Sequence, residues 1–343
     1  MGNTANKSVP FSEQVATWQA ILAEFTNIFR IGDKSKRAFT YRWFSAFLVC
    51  ILAGQSFSQT GGPEVLWERV NVSSQDLFLG PGGKEMQPDL SGITFLKEEK
   101  GGYSKKYRVK DGSGHTWVAK VGLEAQSETA AVRLLYALGY KTEINYLVPR
   151  LTIPGIGEFI NVRLEARPDS VKRGKQWKWG HTPFEGTLEM RGLMLMMAFL
   201  NNWDMKSSNN IVLKTPQETQ YVISDLGVAF GTTGINGWPL FWRVGRSRNN
   251  PMDYSISKFV GKVQKNKVDI YFNGKNRSRM RDFTVDEARW LASLLAKLRD
   301  SQIRDAFRAA NYSQPDLDLL THSVKDRIAQ LDRVGSIPLL AER

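Results

Sequence analysis

Cysteine is almost absent from this chain: 343 residues contain one, Cys50. With no second thiol there is no internal disulfide and no cysteine-built metal centre. Histidine is nearly as scarce, and His115, His181 and His322 stand apart without ligand spacing, which argues against a zinc site. The apolar run Phe44–Gly54 falls short of the ~20 residues that a membrane-spanning helix needs. Acid is also in deficit: 34 Asp and Glu against 47 Lys and Arg give a net charge of +13 and a pI near 9.7. Such a surface favours phosphates, anionic lipid or acidic protein segments, and the sign alone does not choose among them. What is present in quantity is core-forming material. Apolar residues make up 42% of the chain and charged residues 24%, a balance that excludes a disordered polymer.

The first 58 residues read differently from the rest. A basic stretch from Lys34 to Arg42 runs into the apolar segment Phe44–Gly54 and then into Gln55-Ser56-Phe57-Ser58-Gln59. That is the order of a secretory signal peptide, with Ser56 and Ser58 as the small residues a signal peptidase reads. The alternative is an uncleaved anchor stretched over residues 43–57. Phe11–Arg30 has the pattern of an amphipathic helix, a long extension ahead of the signal. The expectation is an exported, periplasmic or secreted domain of a bacterial-type cell, or one tethered to its membrane.

Residues 59–91 are rich in Gly, Pro and polar residues and read as a linker or lead-in. Their string Gly80-Pro81-Gly82-Gly83-Lys84 is not a Walker loop, because Phe78 and Glu85 stand where a glycine and a Ser or Thr are needed. From Gly92 the pattern is strand-like over Ile93–Leu96, Lys106–Lys110 and Thr116–Val121, with Asp111-Gly112-Ser113-Gly114 as a hairpin turn. Ser127–Leu138 is helical, with Ser127 as N-cap. Strands over Leu147–Ile153 and Glu158–Leu164 follow, then a buried helix, Thr187–Leu200, whose methionines read as core filler. Helical spacing returns over Ala288–Leu298, Ile303–Ala310 and Leu317–Leu331. The domain plan is therefore an extension over 1–58, a lead-in over 59–91, a small antiparallel β-rich lobe over 92–165, a larger mostly helical lobe over 166–335, and a tail, 336–343.

Four short elements carry chemistry through their joint presence and order. Gly101-Gly102-Tyr103-Ser104-Lys105 lies between two strands, where glycines let backbone amides approach phosphates; a plain hairpin turn is the alternative. Val118-Ala119-Lys120 ends the third strand, with Val118 and Lys120 on one face by alternation, the lysine for phosphate oxygens and the valine for a purine face. Glu128 follows in the helix as a carboxylate to orient Lys120, with Glu124 as the competing partner and a solvated acid as the bland reading for both. In Asn202–Asn210, Asp204 can take a proton from an attacking hydroxyl, Lys206 can neutralise a transferring phosphoryl group, and Asn209 can offer an amide oxygen to a metal. Last, Tyr221–Gly227 delivers Asp225 at a strand end, a hard oxygen ligand for Mg²⁺ or Mn²⁺, across a β-hairpin from Asn209.

As an ordered set, Gly101-Gly102, Lys120, Glu128, Asp204/Lys206/Asn209 and Asp225-Leu226-Gly227 resemble the protein-kinase-like superfamily over residues 92–335. The close Lys120–Glu128 spacing, Trp203 before Asp204 and the lack of an Ala-Pro-Glu element make the chain more similar to the atypical branches. These are the HipA-like, phosphoinositide-4-kinase-like and secretory-pathway kinases. The resemblance implies an α+β, two-lobed protein-kinase-like fold, ATP with Mg²⁺ or Mn²⁺ in the cleft, and phosphoryl transfer to a hydroxyl, most readily on a protein. It also implies a hinge at Val162–Ala166, with Leu164 at the adenine edge. An inactive pseudokinase platform, or transfer to a lipid or glycan hydroxyl, remains open. No nucleic-acid partner is expected, since no helix-turn-helix, zinc-finger or ribonucleoprotein signature accompanies the charge. The basic run from Arg243 to Arg281 reads as a solvated surface, with docking of an acidic acceptor or anionic membrane as its alternative.

The signal reading predicts that the chain expressed in a bacterium with an active signal peptidase matures to a species beginning at Gln59. Intact-mass measurement checks this, and a chain that keeps residues 43–57 is an anchor instead.

Overall fold

The computed structural model describes residues 62–101, 104–236 and 243–336. The extension and signal segment, residues 1–58, lie outside the described residues, as do Gly102 and residues 337–343 of the tail. Among the described residues no helix is long and apolar enough to cross a membrane.

The chain enters with a two-residue strand, β1 (Glu64–Val65), that pairs in parallel with a strand far along the sequence. A five-stranded antiparallel sheet follows: β2 (Thr94–Glu99), β3 (Lys106–Lys110), β4 (Thr116–Lys120), then helix α1 (Glu124–Ala137), then β5 (Asn145–Ile153) and β6 (Gly157–Ala166). Its order is β2-β3-β4-β6-β5. The turn between β3 and β4 is made by Asp111, whose carboxylate accepts from the His115 amide at 2.8 Å and the Trp117 indole at 2.9 Å. Gly114 supplies the positive φ of +87° that closes it.

The second lobe begins with β7 (Lys172–Arg173) and α2 (Leu188–Phe199), then the hairpin β8 (Asn210–Lys214) and β9 (Thr219–Ile223). After short strands β10 (Ile235–Asn236) and β11 (Arg243–Val244) come α3 (Pro251–Ile256), β12 (Val260–Gln264), β13 (Lys267–Ile270) and β14 (Phe283–Thr284). Three helices close the lobe: α4 (Val285–Leu295), α5 (Asp300–Ala309) and α6 (Gln314–Gly335). The α+β, two-lobed arrangement is thus present, with the β-rich lobe first.

Helix α2 is the axis of the larger lobe. Thr187 caps it by accepting from the Met190 amide, and Met190, Met194, Met196 and Met197 are all buried in the main core, as filler rather than ligands. Its C-terminal carbonyls meet a buried cation: Arg327 of α6 donates to Phe199 O at 2.7 Å and to Ala198 O at 3.2 Å. A guanidinium there satisfies acceptors that a helix end leaves open and complements the negative end of its dipole.

Two expectations need correction. The stretch 59–91 is no loose linker where it is described: Leu66, Val72 and Leu77 are buried in the main core, and Gln302 of α5 donates to Val72 O and Gln75 O, both at 2.9 Å. Gly80, at φ +72°, curls against the buried Arg133 of α1, so the Gly-Pro-Gly-Gly string wraps a side chain. Helix α1 also starts at Glu124, three residues before the expected N-cap. Ser127 lies inside it, and its hydroxyl donates to Gly227 O at 2.6 Å.

Leu77 gives the clearest check on the lead-in. Leu77→Ala should lower the unfolding free energy by about 2–5 kcal/mol in urea titration, the usual cost of emptying a buried leucine site. A change under about 0.5 kcal/mol would mean that the lead-in is a loose surface segment after all.

Candidate active site

Lys120, at the end of β4, is buried, and its ammonium sits 2.8 Å from Glu128 Oε2, 3.0 Å from Glu124 Oε2 and 3.4 Å from Asp225 Oδ1. The sheet register places Val118 opposite Glu165 and Lys120 opposite Arg163, so these four side chains share one face. Helix α1 lies against that face with its first turns toward Lys120. Burial works against the charge on Lys120. Glu128, Asp225 and Glu124 overcome that penalty and hold the ammonium above its ordinary range. The same burial pushes the Glu128 carboxyl up against the pull of Arg163 and Lys120.

Both expected partners of Lys120 are therefore at hand. Glu124 does more than compete: its Oε2 also accepts from Ser104 at 2.9 Å and its Oε1 from Arg248 at 2.6 Å. Burial raises its carboxyl, and Lys120, Ser104 and Arg248 bring it below the usual range. Gly227 lets this happen. A Cβ there would lie 2.6 Å from Glu124 Cβ, so only glycine admits the helix start so close to the Asp225-Leu226-Gly227 turn.

Asn209 and Asp225 stand at the same end of the β8–β9 hairpin. Asn210 pairs with Ile223, and the Ser224 amide donates to Asn209 O at 2.7 Å, which sets Asp225 next to Asn209. The Asn209 amide nitrogen donates to Asp204 O at 2.8 Å and to Asp204 Oδ2 at 3.3 Å, leaving the amide oxygen for another partner. That oxygen and the Asp225 carboxylate are the donor types a hard divalent cation takes together with phosphate oxygens. Among the described residues no group of three or more His, Cys, Asp or Glu could hold a metal by itself. A metal here would draw the rest of its shell from water or substrate.

Asp204 is held between two lysines, Lys206 at 2.8 Å on Oδ2 and Lys275 at 2.7 Å on Oδ1. Burial raises its carboxyl, and the two ammonium groups win, so it lies below the usual carboxylate value. The segment that carries Lys275 is fastened to this loop: Lys275 N donates to Trp203 O at 2.8 Å, and Asn276 Nδ2 donates to Met205 O. On the other side Arg246 stacks over Trp203 at 4.8 Å, and the Trp203 indole donates to Ser247 O at 2.9 Å.

Of the residues expected at the site, Ser104, Val118, Lys120, Glu128 and Asp225 face one cluster, and Asp204, Lys206 and Asn209 form its second half. Gly101 is exposed at φ +102° with nothing near a would-be Cβ, so its need for glycine is conformational. Leu164 is corrected. It is fully buried among Trp117, Ala119 and Tyr146 on the sheet face opposite Lys120, and it pairs with Ala119 on one side and Tyr146 on the other. Its neighbours Val162–Ala166 belong to β6, with Ala166 N bonded to Ile144 O and Arg167 N to Thr116 O. The strand-to-lobe connection is therefore residues 167–171.

No protein-family model matches the chain, and no curated protein matches it with significance. Its structure is similar to that of the proinflammatory kinase CtkA of Helicobacter pylori, with a TM-score of 0.45 and 11% identity over 73% of this chain and 97% of that one.

Sequence reasoning missed Lys275, Arg248 and Arg163. Lys275 and Arg248 sit in the basic run, where spacing carries no mark of them. Arg163 lies two residues from Glu165 in a strand, and its nitrogen is 3.2 Å from Glu128 Oε1 and 2.6 Å from Glu165 Oε2. The available signal is an Arg and a Glu two residues apart, alternating with Val162 and Leu164 in a strand, which puts both charges on one face. A cavity of about 310 Å³ lies elsewhere, behind the 167–171 connection, between Tyr136, Tyr140, Glu143 and Arg173; neither Lys120 nor Asp225 lines it.

Lys275→Met should raise the Asp204 pKa toward or past 3.8, because one of the two opposing cations is gone while the burial remains. Since the folded value is depressed, the stability Asp204 contributes is complete above 3.8 and fades as pH falls through the lowered value; the substitution shrinks that contribution. A carboxyl ¹³C titration by NMR reads the shift, and an unmoved Asp204 would dissociate Lys275 from it.

Proposed function

We propose that the chain is an ATP- and divalent-metal-dependent phosphotransferase that moves the γ-phosphoryl group to a hydroxyl on a protein. The observation that carries this reading is the meeting of Lys120, paired with Glu128 at 2.8 Å, and Asp225 at 3.4 Å, from segments 105 residues apart. A buried lysine oriented by a helix carboxylate and facing a strand-end aspartate suits a triphosphate and its counter-ion.

Lys120 binds the α- and β-phosphate oxygens, and Glu128, itself braced by Arg163, keeps the ammonium pointed at them. Val118 covers the purine from the sheet, and the loop at Gly101 and Ser104 lies over the phosphates. Asn209 and Asp225 would hold the Mg²⁺ or Mn²⁺, which when bound would neutralise the phosphate charge that builds on the leaving group. The acceptor oxygen attacks the γ-phosphorus as the bond to the ADP oxygen breaks and its electron pair leaves with ADP. The acceptor proton passes to an Asp204 oxygen, and Lys206 offsets the negative charge on the group in transit. Asp204 must release one of its two lysines to take that proton. An incoming phosphate provides the competing anion. Export or tethering through residues 43–57 remains part of the proposal on the order of that segment alone.

Thermal unfolding of the full chain with ATP, with and without Mg²⁺ or Mn²⁺, tests the reading against the Asp225→Ala variant. At ATP about ten times its dissociation constant, binding should raise the midpoint by roughly 3 °C, only with metal and only in the wild type. No rise in a folded wild-type sample at millimolar ATP would sink the enzyme reading and favour a binding platform that keeps the fold.

A further inference from the structure

Beside Asp204 the second lobe carries a groove of about 840 Å³ that the nucleotide reading leaves unused. Its walls are the β12–β13 hairpin and the segment after β13, with Tyr271 as exposed aromatic surface, Phe272 buried behind it in the core, and Lys262, Arg277 and Arg281 as charge. These three cations make no ion pair among the described residues, whereas Asp282 on the same wall is held by Lys267 at 2.6 Å, which leaves Asp269 as the one lining carboxylate without such a partner there. The groove is therefore net positive.

Asn273 ties it to the catalytic loop. Its Nδ2 donates to Gly234 O at 3.3 Å and its carbonyl accepts from Arg246 at 2.5 Å, but its Oδ1 is buried with no partner. That oxygen is closed to solvent, so it is a polar group the fold leaves unpaired beside the groove and not a contact the groove offers. Two residues on, Lys275 sits 2.7 Å from the Asp204 carboxylate. Gly274 makes the close approach between them: a Cβ there would lie 2.7 Å from Trp203 O.

We infer that this groove holds an acidic peptide segment and presents its hydroxyl-bearing residue to Asp204, so that the acceptor is an acidic stretch of protein. The assignment of the hydroxyl to Asp204 rests on the phosphotransferase reading; the docking of acidic peptide does not. Lys262, Arg277 and Arg281 pair with its carboxylates, and the exposed Tyr271 supplies apolar contact. A concave groove with cations along it suits a chain that enters it, which a flat bilayer surface does not.

Fluorescence anisotropy with the full chain tests this, using a labelled glutamate-rich peptide with one serine, its lysine-rich counterpart, and vesicles of anionic lipid, all at physiological salt. The groove triple variant Lys262→Glu, Arg277→Glu, Arg281→Glu should weaken the acidic peptide about tenfold or more. The same charge change elsewhere, Lys110→Glu, Lys214→Glu, Lys297→Glu, should cost less than about twofold. Equal losses in the two triples would reduce the effect to net charge and overturn the inference, as would equal binding of the lysine-rich peptide. Vesicle binding without peptide binding would overturn it in favour of a membrane surface. Circular dichroism checks that each triple folds, and if the groove triple does not, the Arg277→Glu and Lys262→Glu singles should each show a smaller loss in the same direction. Asp225→Ala should keep peptide binding, so failure of the nucleotide reading and failure of the groove are separable. If the groove binds, incubation with ATP and metal followed by mass spectrometry should find phosphate on the peptide serine.

Discussion

An ammonium taken out of water has to be answered by carboxylates, and the site is built around that demand at Lys120. Its charge is the first of an alternating series that runs through the small lobe. Glu128 stands between Lys120 and Arg163, and Arg163 bonds Glu165, which Arg167 also contacts. Arg173 of the second lobe then joins Glu165 to Glu143. Each charge has a neighbour of opposite sign, which is the condition under which buried ions are tolerated. Where two acids meet at the end of the series, they divide the burden unequally: burial and the neighbouring Glu165 push Glu143 up to about 8, while Arg163 and its companions hold Glu165 well down against that same burial. Truncating any inner member would leave an uncompensated charge in the interior. The lobes are thus joined through electrostatics at the same place where the chain passes from one to the other.

Much of this was legible because it is local. The turn at Asp111 and Gly114, the helix after Lys120 and the apolar periodicity of α2, α4, α5 and α6 all follow from spacing that a few adjacent residues define. The spacing of Asp204 and Asn209, and the strand that ends at Asp225, were readable for the same reason. Errors arose where tertiary contacts decide. The lead-in looks like a linker because its Gly and Pro content is high, yet Leu66, Val72 and Leu77 find a core supplied by distant helices. The hinge expected at Val162–Ala166, with its backbone free for an adenine edge, fails because β6 is an inner strand whose backbone pairs with β4 on one side and β5 on the other, a matter of sheet order that local pattern does not carry. Lys275 was hidden among eleven similar cations between Arg243 and Arg281. Its backbone bond to Trp203 and its ion pair with Asp204 set it apart, and both are tertiary contacts.

The segment after Asp225 also takes on a meaning that composition could not supply. Arg246 and Arg248 clasp Trp203, and Arg248 reaches Glu124, so one stretch of chain touches the loop that carries Asp204 and the helix that carries Glu128. Ser127 adds the bond from that helix to Gly227 O. Movement of α1 therefore cannot leave Asp225 untouched. The Lys120 cluster, the Asp225 turn and the Asp204 loop share their supports.

The lead-in has a further consequence for how the molecule comes together. β1 waits for β9, Tyr221 reaches back 157 residues to Glu64, and Gln302 reaches back 230 residues to Val72. Contacts of such separation form late, because the loop they close must first lose its freedom. During synthesis β1 is made long before β9, while Leu66 and Glu68 can bond residues 139–141 as soon as these emerge. Until α5 has emerged and docked, the apolar side chains of Leu66, Val72 and Leu77 have no complete core to enter. Nascent chains of this protein therefore spend most of their elongation with that patch uncovered, a natural handle for chaperones and a liability at high expression.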